Sequence, residues 1–421
     1  MRPSFFKFVI PMVLVCASGV AGAVFAPQQR LGVGPGDQWE PSIAADGFGH
    51  VYVLYPQYTP AAGCRDCYSP RMLLQMSVDG GQTWQPPRTI SPATSRQFDP
   101  QITVDRADRR TVYASWLQND KHDVVIAKSV DFGQSWSTVI AARANGEADK
   151  PVLAVRGPDV YATFSQGRSL IVAASHDGGV TFFTRGVNPE FNPGSAQAGG
   201  STVDPDGDVF VAWTSYVLRG PSKGSAILFV SKSADGGASW TPTALDTSSA
   251  PPGCTRFKCS WGFLGPQITV ASDSAGTLYA LWNSGRRAQQ PQRIYFASST
   301  TAAETWSQKA GVSSAAIGVE HAFPALAAGD PGDVRIAWMD TRRGYWNTYY
   351  RASTNGGATW TQEVKLSNYR RGYSYIHRSG FSFPFGDYFG MTVDAESQTH
   401  AVWGEGWNFD SPGSIWYVNG R

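Results

Sequence analysis

An eight-residue phrase recurs along this chain and constrains its fold more than any other feature. SVDGGQTW begins at Ser77, SVDFGQSW at Ser129, SHDGGVTF at Ser175, SADGGASW at Ser233 and STNGGATW at Ser353. A worn sixth copy, SSTTAAETW from Ser298 to Trp306, keeps only the frame and the closing Glu-Thr-Trp. Successive starts are 52, 46, 58, 65 and 55 residues apart. Self-similarity at a period of about 40–50 residues marks a blade or array unit that buries its apolar face only against its neighbours.

A second pattern precedes each copy: a short strand, a turn, then a strand ending on an aromatic residue. It runs to Tyr55, Trp116, Phe164, Trp213, Trp282, Trp338 and Trp403, which gives seven strand pairs against six phrases. The seventh unit runs out at Ser414-Ile-Trp-Tyr-Val418, equivalent to a third strand. The stretch Gln29-Arg-Leu-Gly can supply its fourth, and a ring closed by both termini leaves no open sheet edge there. The expectation is an all-β fold: a seven-bladed β-propeller of four-stranded blades, closed by N- and C-terminal strands sharing one blade. Abundant Gly and Pro, 13% aromatic residues and the lack of long amphipathic helical stretches agree with that class.

The N-terminus reads as a secretory signal peptide over residues 1–23, followed by a single propeller domain over 24–421. Arg2 and Lys7 give a basic start, Phe8 to Val15 an apolar run, and Ala21-Gly22-Ala23 a small-residue cleavage site. Cleavage there removes two of the 35 basic residues and none of the 33 acidic ones, leaving a formally neutral chain. Neutrality gives no electrostatic case for nucleic acid or an anionic membrane. No further segment is apolar enough to span a bilayer. The expected protein is therefore secreted or periplasmic and monomeric. Four cysteines follow the leader as two local pairs, Cys64 with Cys67 and Cys254 with Cys259. In an oxidising compartment they read as two loop-pinning disulfides, with four thiolates around zinc as the alternative. No cofactor or metal is otherwise called for.

The phrase resembles the Asp box, or bacterial neuraminidase repeat, of the sialidase superfamily. The resemblance implies a hairpin turn between the third and fourth strands of each blade, and boxes that are structural. An Asp side chain accepts backbone N–H groups in such a turn, Gly takes a positive φ, and Trp buries a large apolar face. Catalytic sialidases also carry an Arg-Ile-Pro-type motif, an arginine triad, a Tyr–Glu nucleophile and an Asp acid/base. Here no Arg-Ile-Pro occurs, the matching region reads Trp39-Glu40-Pro41, and sialidases of this superfamily have six blades. Seven-bladed relatives include polysaccharide lyases, glycosidases and non-catalytic assembly factors.

Alternating strand direction puts the boxes on one side of the ring, face two, and the long irregular links on the other, face one, where binding and catalysis concentrate. Trp39, Trp261, Trp346 and Trp407 fall in or beside those links and are candidate sugar platforms. Glu40, Asp99, Asp149 and Asp387 stand just ahead of inner strands at the channel mouth. Asp340 and Glu405 stand just beyond second-strand Trp residues. Glycosidases work with paired carboxylates, so the expected acid/base is Asp340 or Asp387, with Tyr388 and Glu405 as a nucleophilic pair. Arg342, Arg343 and Arg378 form the candidate carboxylate clamp, Glu40 and Asp99 contribute to substrate binding, and His321 or His377 is a candidate lyase base. The function expected is binding, and hydrolysis, of an acidic glycan or glycoconjugate. A non-catalytic module gripping a protein partner and a polysaccharide lyase are the alternatives.

Overall fold

The computed structural model describes residues 23–32, 38–58, 67–92, 94–188, 194–218, 224–252, 264–344, 346–367, 388–406 and 413–421, with the backbone alone at 405 and 406. Among them there are strands and turns and no α-helix, and no helix long and apolar enough to cross a membrane.

Seven antiparallel sheets form a seven-bladed propeller, as the seven strand pairs require. Six are four-stranded; in the first blade the fourth position is a single bridge between Leu74 and Arg88. The inner strands are Ser42–Ala45, Phe98–Val104, Asp149–Arg156, Ser195–Val203, Ile268–Ser272, His321–Ala328 and Phe389–Val393. They line a central channel of about 560 Å³. The ring closes where expected: Gln29 pairs with Tyr417 and Arg30 with Trp416, which makes Gln29–Arg30 the outer strand of the last blade.

Second-strand aromatics hold the blades together. Trp116, Trp213, Trp282, Trp338 and Trp403 are all 1% exposed or less. Their apolar clusters cross blade boundaries, as where Leu54 and Leu74 of the first blade meet Ile102 and Trp116 of the second. Each such ring removes about 150–250 Å² from water, which makes the inter-blade seams the main source of stability.

The boxes sit on face two and are closed hydrogen-bond circuits. In the first, Ser77 Oγ donates to Asp79 Oδ1 (2.7 Å) and accepts from Gly81 N (2.8 Å). Asp79 in turn accepts from Thr83 N (2.8 Å) and Thr83 Oγ1 (2.6 Å). The glycine at the fifth position of a box abuts an aromatic ring of the preceding blade: Gly133 on Tyr52, Gly179 on Tyr113, Gly237 on Tyr161 and Gly357 on Phe296. Gly81 closes the series on Tyr417 of the last blade, where a Cβ would overlap the phenol. The worn copy begins at Ser299, one residue later than the sequence reading placed it. Thr301 Oγ1 stands in for the carboxylate and accepts from Thr305 N (2.9 Å), while Ala302 and Ala303 take φ of 48° and 67° where glycines stand elsewhere.

Candidate functional site

The channel mouth on face one is built from a repeated irregularity. Glu40, Asp99, Lys150 and Phe323 hold φ of 55°, 55°, 47° and 56°, and each immediately precedes a proline. They occupy one ring position, six residues ahead of the turn that ends each inner strand. In the second, third and sixth blades the sheet register shifts beside them. Proline has no N–H for the ladder, so it is tolerated at such a bulge, and a bulge re-aims its side chains. A non-glycine residue in this conformation costs about 1–3 kcal/mol and persists only where its surroundings enforce it. Tyr388 holds the same ring position in the seventh blade.

Charge gathers at these bulges. Glu40 and Asp99 are each 4% exposed and Lys150 is 6% exposed. Lys121, from the link between the second and third strands of the second blade, lies 3.1 Å from Asp99 Oδ2 and 3.3 Å from Asp149 Oδ1. Burial pulls the Lys121 ammonium down, but Asp99, Asp149 and Glu40 outweigh it and hold the group above the ordinary lysine range. Tyr58 donates its hydroxyl to Glu40 Oε2 (3.2 Å). Lys150 reaches across the mouth, its Nζ 5.3 Å above the Tyr388 ring. The mouth therefore combines buried carboxylates, two lysines and two tyrosines from the first, second, third and seventh blades.

The segment around Asp340 forms a separate cluster, and it is closed. Asp340 ends the second strand of the sixth blade, is 0% exposed, and accepts from Trp338 Nε1 (2.9 Å) and Arg342 Nη2 (2.6 Å). Arg342 also donates to Glu363 Oε1 (2.7 Å) and stacks 3.8 Å over Tyr349. Burial lowers the Arg342 guanidinium, and the two carboxylates more than restore it. Its fork is thus filled by protein carboxylates rather than open to a ligand's. His321 is fully buried; Nδ1 faces the carbonyls of Gln292 and Val319 (2.9 Å each), so it carries the proton, and Nε2 accepts from Ser313 Oγ (2.9 Å). Burial depresses its basicity, with Asp340 opposing. Its neighbour Glu320 was not singled out from sequence; burial pushes its carboxyl up to about 8, against the pull of the Gln292 N–H.

The tryptophans expected as sugar platforms are packing residues where they are described. Trp39 and Trp346 are both 0% exposed. The Trp39 indole lies against Gly413 of the last blade, and Trp346 joins the core around Phe323 and Trp403. A tryptophan beside a strand end fills the wedge between blades before it can face a ligand. Arg343 is exposed. Glu405 pairs in backbone with Ser414. Asp387, Arg378, His377, Trp261, Trp407, Cys64, Cys254 and Cys259 lie outside the described residues, while Cys67 is disulfide-bonded. Among the described residues no group of His, Cys, Asp and Glu is arranged to hold a metal ion.

No family model matches the chain, and no curated protein matches it in sequence. Solved structures do match it in fold. A protein of unknown function from Dyadobacter fermentans shares 12% identity at a TM-score of 0.56, over 96% of this chain and 100% of that one. A polysaccharide lyase of family PL25, an ulvan lyase solved with -[GlcA(1-4)Rha3S]- bound, shares 10% at 0.53, over 92% and 95%. YCF48, solved with a D1 peptide, shares 14% at 0.50, over 95% and 99%. Sialidases are also among the neighbours, at TM-scores of 0.44 and 0.47, too distant to carry a reading of function.

Proposed function

We propose that the protein is secreted, acts as a monomer, and binds a glycan chain on face one, with one sugar unit seated at the channel mouth. The observation that carries this reading is the ring of left-handed residues that holds Glu40, Asp99 and Lys150 at the mouth. A positive φ repeated at one ring position, on charged side chains that line or flank a channel, is the pattern of a preorganised site. Carboxylates accept from sugar hydroxyls, Lys150 complements an acidic group, and Tyr388 offers a ring face. The ulvan lyase with a comparable overall fold was solved with an acidic saccharide bound, which supports glycan as the ligand class. In this reading hydrolysis draws on the rim acids, since Asp340 is sealed from solvent.

The test is a panel of neutral, sialylated and uronic-acid oligosaccharides, scored for binding, for new reducing ends, and for the near-ultraviolet absorbance of an unsaturated lyase product. Retention of an acidic oligosaccharide supports the proposal. Failure to retain any member of the panel refutes it, and binding without turnover removes its hydrolytic part.

One observation favours a second reading, a non-catalytic module for a peptide partner. Lys121 and Arg342 are both engaged by two carboxylates of the protein itself, so neither is an open clamp for a uronate. YCF48, solved with a peptide bound, has the same fold. Affinity capture from the secreted fraction, combined with a silent glycan panel, selects this reading.

A further inference from the structure

The opposite end of the channel carries positive charge that the proposed glycan site does not use. Arg106 follows the inner strand of the second blade and reaches across the channel to the fourth and fifth. Its Nη1 donates to Thr202 Oγ1 (3.2 Å) and Ser272 Oγ (3.1 Å), and its Nη2 to the Ser272 carbonyl (2.7 Å). All these acceptors are neutral. Arg156 ends the inner strand of the third blade, between them, and lines the same channel. Its side chain has no hydrogen bond or ion pair to the described residues. Burial, then the like charge of Arg156, lowers the Arg106 guanidinium, with Asp273 opposing.

The nearby acids are committed elsewhere. Asp273 accepts from Ala275 N and Thr277 N (3.0 Å each) on Oδ1, and from the Tyr279 hydroxyl (2.7 Å) and Gly332 N (2.9 Å) on Oδ2. Asp105 Oδ1 accepts from Ala107 N and Gly157 N (2.8 Å each). Asp394 serves Glu396 N, Gln398 N and His400. Asp330 also lines the channel, is exposed, and bonds to neither arginine. Two neighbouring guanidinium groups without a carboxylate of their own, beside the hydroxyls of Thr202 and Ser272, form a donor set for an anion.

We propose that the face-two end of the channel seats a small tetrahedral oxyanion, sulfate or phosphate, between Arg106 and Arg156. The anion neutralises the repulsion between the arginines and locks the second, third, fourth and fifth blades together at their inner ends. Because it binds the folded ring and not the unfolded chain, it raises the unfolding midpoint as its concentration rises.

The test is thermal unfolding of the full-length chain in chloride, titrated with sulfate and then phosphate at constant ionic strength. The expected result is a midpoint that climbs with either anion beyond the chloride control. Arg156→Ala, which removes no hydrogen bond or ion pair among the described residues, should fold normally and bind sulfate about tenfold or more weakly, the effect of losing one charge-assisted hydrogen bond. Arg156→Lys should recover part of the response. A wild-type midpoint that follows ionic strength alone, or an Arg156→Ala variant that responds to sulfate as the wild type does, overturns the proposal. Neither result depends on whether face one binds a glycan.

Discussion

Lys150 Nζ stands 5.3 Å above the ring of Tyr388, although the two residues belong to the third and seventh blades. The contact spans the face-one mouth, just as Arg106 spans the channel at face two. Each is a cation beside one end of an inner strand, so one crosses between blades at each end of the channel.

The Lys121 ammonium is the keystone of the mouth. Replacing it with Met removes the ammonium that faces both buried Asp99 and half-exposed Asp149. A fully buried pair broken this way costs about 3–5 kcal/mol; partial hydration of Asp149 should reduce the loss to about 2–3 kcal/mol. Urea unfolding of Lys121→Met measures it, and the Lys121→Met/Asp99→Asn double variant should recover part of it. A single variant as stable as the wild type would mean that Asp99 had found another donor.

The boxes need an oxygen at the Asp position, not a charge. Asn355 makes the same turn, accepting from Ser353 Oγ and Thr359 N (2.9 Å each). Asp79→Asn should therefore stay within about 0.5 kcal/mol of wild type, while Asp79→Ala loses about 1 kcal/mol, as for a lost cap. The Thr83 hydroxyl, followed by its N–H, holds the Asp79 carboxyl down at about 2. Its contribution is thus present above the ordinary carboxylate range and fades as pH falls from about 4 towards 2, and in Asp79→Asn that part of the acid limb should flatten. Chemical unfolding across that range, variant beside wild type, checks both points.

Glu320 gives the opposite slope. Its folded value of about 8 lies above its ordinary 4.5, so between those values the folded state holds a proton the unfolded chain has released. Stability should fall as pH rises through that window, by at most about 1.4 kcal/mol per unit, and level off above it. Glu320→Gln should remove this component. Unfolding midpoints from pH 4 to 9 would contradict the assignment if the two proteins kept parallel profiles.

The blade count and ring closure were legible because each depends on local signals that recur: turn chemistry in the boxes and aromatic strand ends such as Trp116 and Trp282. The mouth was only half legible. Glu40 and Asp99 could be placed at the rim, but the Xaa-Pro step after Glu40, Asp99, Lys150 and Phe323, visible in the sequence, was not recognised as a bulge. Lys121 was missed because it comes from a short link, and Glu320 because burial, not residue type, makes it unusual. Arg342 and Asp340 were assigned to a ligand, whereas in the fold they satisfy each other. Residue type and spacing cannot tell an open fork from one that Glu363, 21 residues on, already fills.

The central claim is that face one receives a glycan at the channel mouth. Calorimetric titration of the tightest oligosaccharide from the panel against wild type, Tyr388→Phe and Lys150→Gln tests it most directly. The account predicts that Lys150→Gln weakens binding about tenfold or more and Tyr388→Phe by less, with thermal unfolding confirming that both remain folded. Undiminished affinity in two folded variants would contradict it and place the ligand away from the mouth.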